Sequence, residues 1–102
     1  MSEHRHGNDS AVLTALANER RRVVLRHLGR TSGPTSVSEL AERVSESGPY
    51  KTVSRTRAAI ELYHVHLPQL DVAGLIEYDA DRRLIEGGPE LESGLALLEH
   101  LE

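Results

Sequence analysis

The stretch His64-Val65-His66-Leu67-Pro68-Gln69-Leu70-Asp71-Val72-Ala73-Gly74-Leu75-Ile76-Glu77-Tyr78 decides how this chain folds. It opens in a helical pattern and closes in an extended one, and the change falls at Gly74. Upstream, from about Thr52, the apolar positions Val53, Thr56, Ile60, Tyr63, Leu67 and Leu70 recur every three or four residues, with Ala59, Leu62 and His66 as a second stripe beside them. This predicts one long helix, bent in its last turn by Pro68, which cannot donate to the carbonyl four residues back. Gly74 is the natural residue to end it. Downstream, Leu75 to Tyr78 reads as a strand, Asp79 to Arg82 as a turn and Arg83 to Glu86 as a returning strand.

Working outward in both directions, the pattern stays helical on either side. Ser45 to Pro49 is a breaker cluster, preceded by a helix that would bury Leu40, Ala41 and Val44. Ser36 and Glu39 have capping-box spacing at its start, and the stub Thr35 to Val37 is extended enough to supply a third strand. Gly29 and the Thr31 to Pro34 cluster end an earlier helix with Val23, Val24, Leu25 and Leu28 on one face, begun at Asn18 with Glu19 in its first turn. Before it, Asp9 or Ser10 would N-cap a short helix through Leu13 and Leu16, and residues 1–8 read as a disordered polar terminus. At the other end Gly87-Gly88-Pro89 breaks the strand, and Leu91, Leu95, Leu98 and Leu101 mark a final helix. The expected fold is mainly α with a small β-hairpin. It is a winged helix-turn-helix of three core helices, a two-stranded wing over residues 75–86 and a C-terminal helix. The domain spans residues 9–88, and residues 89–102 form the last helix, a candidate dimer contact.

The composition narrows the function classes. With 102 residues, 38% hydrophobic and 27% charged, the chain has the size and balance of one soluble domain. Its three aromatic residues are all tyrosine, so the core must be aliphatic, and so small a core favours a homodimer. No cysteine is present, no apolar run approaches a membrane span, and no signal peptide opens the chain, so a cytoplasmic address is expected. The net charge of −4 conceals a division. Residues 20–57 hold nine Arg and Lys against three acids, whereas residues 58–102 hold two Arg against ten acids. Such asymmetry points to a charged partner on the basic block.

Three features carry a family likeness: Ser38-Glu39-Leu40-Ala41-Glu42; His66-Leu67-Pro68-Gln69-Leu70 followed by Ala73 to Tyr78; and Arg20-Arg21-Arg22 after Ala17-Asn18. The first resembles the opening helix of many helix-turn-helix regulators, and the second resembles the end of the recognition helix and start of the wing in ArsR-like transcriptional regulators. The second and third, with Tyr63-His64, resemble more narrowly a haloarchaeal winged-helix family of unassigned function, over roughly residues 12–88. A scarcity of lysine beside excess acid, with Lys51 the single lysine, suits a halophilic origin. The resemblance implies DNA binding. The chain departs from ArsR-type metal sensors in having no cysteine, and its Ser45 to Lys51 link is longer than the tightest helix-turn-helix turn.

The residues expected to meet double-stranded DNA are Lys51, Thr52, Ser54, Arg55 and Arg57 at the start of the long helix, and Arg82 and Arg83 at the wing tip. A helix start in the major groove can present Arg to guanine and hydroxyls to phosphate. The plainer reading is a solvated helix end, with Arg57 held by Glu61 and the wing arginines neutralised by Asp79 and Asp81. Arg20 to Arg22 read as a solvated face. His64 and His66 stand two apart and so point to different helix faces, unlike a chelating pair four apart; His66 reads as a hydrogen-bonded structural residue and no metal site is expected. No catalytic constellation, phosphate loop or nucleophile elbow appears, so no enzyme activity, cofactor or small-molecule ligand is expected. The alternative is a winged-helix module that binds protein without DNA, motivated by the acidic second half.

Overall fold

A computed structural model describes residues 10–101, so the assignments made for residues 1–8 and Asp9 lie outside it, as does the side chain of Leu101. A first helix, α1, covers residues 10–16, with Ser10 already helical and not its cap. Asn18 then starts α2 (Glu19–Gly29): its side chain accepts from the backbone N–H groups of Arg20 and Arg21, which satisfies two of the donors a helix start leaves open. After a turn, β1 (Thr35–Ser36) leads into α3 (Val37–Val44). Ser36 caps α3 by accepting from Glu39 N–H at 3.1 Å. The other half of the expected capping box is replaced by an ion pair, because the Glu39 carboxylate lies 3.5 Å from Arg43.

The long helix is present but is built in three parts: α4 (Arg55–Glu61), a π-helical turn (Leu62–His66) and α5 (Leu67–Val72). The expected bend at Pro68 is taken up one turn earlier. Leu67 N–H reaches five residues back to Leu62 O, and this wider turn makes room for a proline ring that would otherwise press on the carbonyl of His64. The helix ends in a Schellman motif. Gly74 adopts φ 78°, its N–H donates to Asp71 O at 2.9 Å, and Leu75 N–H donates to Leu70 O at 3.0 Å.

Two strands follow, β2 (Ile76–Asp79) and β3 (Leu84–Gly87), each one residue later than the alternation predicted. They pair antiparallel, with Tyr78 opposite Ile85, and β1 joins the far side of β3 through Thr35 opposite Ile85, so the sheet order is β1-β3-β2. The third strand expected from the Thr35 stub is therefore formed. Gly88 lets the chain leave the sheet toward the last helix. A Cβ there would stand 2.5 Å from Gly74 O and 2.9 Å from Ile76 N, both backbone atoms that cannot move aside.

The last helix, α6 (Leu91–Leu101), packs on α2 of its own domain. Leu98 is buried and Leu91 and Leu95 lie against the core, so much of the leucine stripe proposed for a dimer contact covers this chain itself. The architecture is thus mainly α with a small three-stranded antiparallel sheet, including the β2–β3 hairpin, and a C-terminal helix. It is compatible with a winged helix. Leu16, Leu25, Leu40, Leu62, Leu67 and Leu70 fill the aliphatic core around one aromatic residue, Tyr50. Among the described residues no helix is long and apolar enough to cross a membrane.

Candidate functional site

The start of α4 differs from the expectation and moves two of the named residues. Gly48 to Tyr50 form a 3-10 turn, with Pro49 in its first turn, and the Tyr50 ring is fully buried. That anchor draws the chain inward. Lys51 and Thr52 consequently sit exposed in the turn that precedes the helix, and not on its first turn. Ser54 is the true cap, its hydroxyl oxygen accepting from Arg57 N–H at 3.1 Å. A residue committed to capping has less to offer phosphate, so Ser54 is first a structural residue.

Along α4 and the π-helical turn the burial pattern departs from the first stripe, whose Leu67 and Leu70 are buried farther on as expected. Ala58, Leu62 and His66 face the core, whereas Thr56 and Ile60, expected inside, are exposed. The outward arc is Thr56, Arg57 and Ile60, continued by His64. The predicted contact between Arg57 and Glu61 does not form, because the Glu61 carboxylate is occupied by Arg20 at 2.6 and 2.8 Å and by His66 at 3.0 Å. Arg57 is left projecting with no ion pair among the described residues. Arg55 stands to one side and reaches Glu42 of α3 at 3.7 Å, an exposed pair of little energetic consequence.

The two wing arginines part company. Arg82 stays on the exposed loop, its backbone N–H donating to Asp79 Oδ1 at 3.2 Å and its side chain 3.9 Å from the same carboxylate. Arg83, expected to open the returning strand, is instead the last loop residue. It adopts φ 56°, a left-handed conformation uncommon outside glycine, and its guanidinium lies 4.8 Å from the centre of the Tyr63 ring on the long helix. Tyr63 also meets Tyr78 of β2 edge-on, with centroids 6.2 Å apart, so this aromatic bridge fixes the wing against the helix.

Between them lies a groove of about 400 Å³. The α4–π segment contributes Ile60, Tyr63 and His64, the start of α3 contributes Ser36 and Ser38, and the wing loop contributes Arg82 and Arg83. No lining residue is an acid, in a chain with 16 acids against 12 basic residues. The other side of the wing is different, with Glu77, Asp79 and Glu86 along one recess.

Beneath α4 a polar network ties the helix to the body. Arg20 also donates from Nε to Pro49 O at 3.1 Å and stacks 5.0 Å from the Tyr50 ring centre. Arg21, expected on a solvated face, is buried; its Nε donates to Ala15 O at 2.8 Å and its terminal nitrogen approaches His66 Nδ1 at 3.4 Å. His66 is the buried, hydrogen-bonded histidine the sequence suggested. A neutral ring carrying its proton on Nε2 satisfies both neighbours, donating to Glu61 and accepting from Arg21. Burial lowers the His66 pKa, the nearby Glu61 works against this, and the charges of Arg21 and Arg20 reinforce it. Burial alone would raise Glu61, but the hydrogen bonds from Arg20 and His66, with their charges, hold it below the ordinary carboxylate value. Desolvation pushes the Tyr50 hydroxyl upward, and that hydroxyl is buried with no hydrogen-bond partner among the described residues. His64 is exposed and sits edge-on to Tyr63 at 4.8 Å. Among the described residues no three His, Asp or Glu side chains converge as metal ligands.

Sequence reasoning missed Ile60, Tyr63 and the Arg20–Glu61–His66–Arg21 network. The network joins residues 41 to 45 positions apart, a separation that no local pattern reports. Residues 13–86, from α1 into β3, match the family described as Domain of unknown function (DUF7344), and the chain belongs to that family. No curated protein and no solved structure matches the chain.

Proposed function

We infer that this member of the DUF7344 family is a winged helix-turn-helix transcriptional regulator that binds double-stranded DNA. In this reading α4 enters the major groove and the wing lies on flanking DNA. One observation carries it: an acid-free groove, holding Arg82 and Arg83 and bordered by the outward arc of α4, on a chain of net charge −4. Arg57 and Lys51 extend the same polarity beyond the groove, and both are exposed and open to phosphate or base edges, whereas Arg82 would have to leave Asp79 to make such a contact. A homodimer would present two α4 helices to paired half-sites. Because Leu91, Leu95 and Leu98 of α6 pack on their own domain, Val65 and Val72, two helical turns apart and both exposed, are the surface we propose for such a pairing.

A second reading, a module that binds protein without DNA, is favoured by the acidic outer face of the wing and by the 82% exposure of Val72. Selection from a pool of random duplexes separates the two. The regulator reading expects an enriched motif, weakened in Arg57→Ala. Recovery of a stable protein partner, with no duplex enriched at any salt concentration, would favour the module.

A further inference from the structure

We propose that Ile60 is a specificity-determining residue that packs on the C5-methyl group of a thymine in the major groove. The proposal rests on the DNA-binding reading above and deepens it. Ile60 is 56% exposed, although helical spacing with Tyr63 and Leu67 would place it inside. The core-facing positions are Ala58 and Leu62, so Ile60 lies across the helix from them, at the crest of the outward arc between Thr56 and Arg57. Single exposed aliphatic side chains are ordinary on protein surfaces, so what marks Ile60 is its place on the wall of the groove.

The surroundings of Ile60 indicate what its partner is. Beside it the groove holds the guanidinium groups of Arg82 and Arg83 and the hydroxyls of Ser36 and Ser38, with no carboxylate. An apolar protein surface could cover Ile60 together with the neighbouring Val37 and Ala59, but it would bury two guanidinium groups in a groove lined by no acid. A polyanion that displays isolated methyl groups fits both features at once. Duplex DNA is such a partner: its phosphates meet the cations, and the thymine C5-methyl is the apolar group presented in the major groove. Thr56, one turn earlier on the same side, adds a second methyl and a hydroxyl donor. Apolar contact of this kind is also independent of counterion release, so it persists where salt weakens the phosphate contacts.

The test uses the full chain and the duplex recovered by selection. Each thymine is replaced in turn by deoxyuridine, which lacks only the methyl group. We expect one position at which the replacement weakens wild-type binding about fourfold, the transfer value of one buried methyl. Ile60→Ala, with unchanged melting temperature and salt dependence because the side chain is exposed, should be indifferent to that replacement. The proposal is overturned if wild-type binding ignores every replacement, or if Ile60→Ala keeps the same sensitivity; in both cases DNA binding itself still stands. If the wild type enriches no duplex, the regulator reading fails and this proposal fails with it.

Discussion

Replacing Glu61 by glutamine should cost about 2 kcal/mol of stability, because one carboxylate joins three parts of the fold. Glu61 accepts two close contacts from Arg20 and one from His66, and through them it fastens α4 to α2 and to the turn carrying Tyr50. Breaking a fully buried ion pair costs about 3–5 kcal/mol, but here the partners keep some access to water, with side-chain exposures of 30% for Arg20 and 26% for Glu61. A glutamine is nearly isosteric and its oxygen could still meet both neighbours as Glu61 Oε1 does, but it loses the charge and sets an NH2 group against Arg20 where Oε2 accepts, hence the lower figure. For a domain of this size, 2 kcal/mol corresponds to a melting temperature lower by about 8–16 °C. The loss should also depend on pH. Glu61 has a folded pKa below its ordinary value of 4.5, so its contribution is fully present above 4.5 and disappears as pH falls through the folded value. The gap between wild type and Glu61→Gln should therefore narrow below pH 4.5. His66 adds a second acid-side loss: its folded pKa lies below 6.5, so stability falls from pH 6.5 downward until the folded value is passed. Urea titrations from pH 7.5 to pH about 3.5 would measure both effects. A cost under about 0.5 kcal/mol at neutral pH, or a gap that stays constant into acid, would refute the network as described.

Two further substitutions test the core and the sheet. Tyr50→Phe removes a buried hydroxyl without a partner and should be neutral or stabilising by about 1 kcal/mol in urea titration; a loss of that size would mean the hydroxyl is bonded after all. Gly88→Ala would place a Cβ 2.5 Å from Gly74 O, and we expect a loss of about 3 kcal/mol or more, read as insoluble expression or a collapsed melting transition. A soluble variant of unchanged stability would show that the approach of Gly88 to Gly74 is looser than described.

Much of the fold was legible because its signals are local. Gly74 closing a helix, Ser36 and Asn18 starting one, and the alternation around Tyr78 are choices made within a few residues. The site was less legible. Periodicity found two apolar stripes on the long helix but could not rank them, since the choice depends on what α3 and the wing present to it. It therefore placed Ile60 inside and gave Tyr50 no role, although Tyr50 anchors the turn that sets where α4 begins. Arg21 looked solvated because its partners, Ala15 O and His66, are brought together only by tertiary packing. Arg83 looked like a strand residue because a left-handed loop position is normally signalled by glycine or asparagine, and here the Tyr63 ring holds an arginine in that conformation.

We propose that the outward arc of α4 binds duplex DNA, with Arg57 as its phosphate contact. The most direct measurement is the salt dependence of binding to the selected duplex for the wild type, for Arg57→Ala and for Arg30→Ala, whose side chain lines the groove between α2 and α6. If Arg57 neutralises one phosphate, its removal should flatten the slope of log K against log salt by about 0.9 per protomer. Arg30→Ala should leave the slope at the wild-type value. Equal slopes for all three proteins, or binding no tighter than to an unrelated duplex, would contradict the account.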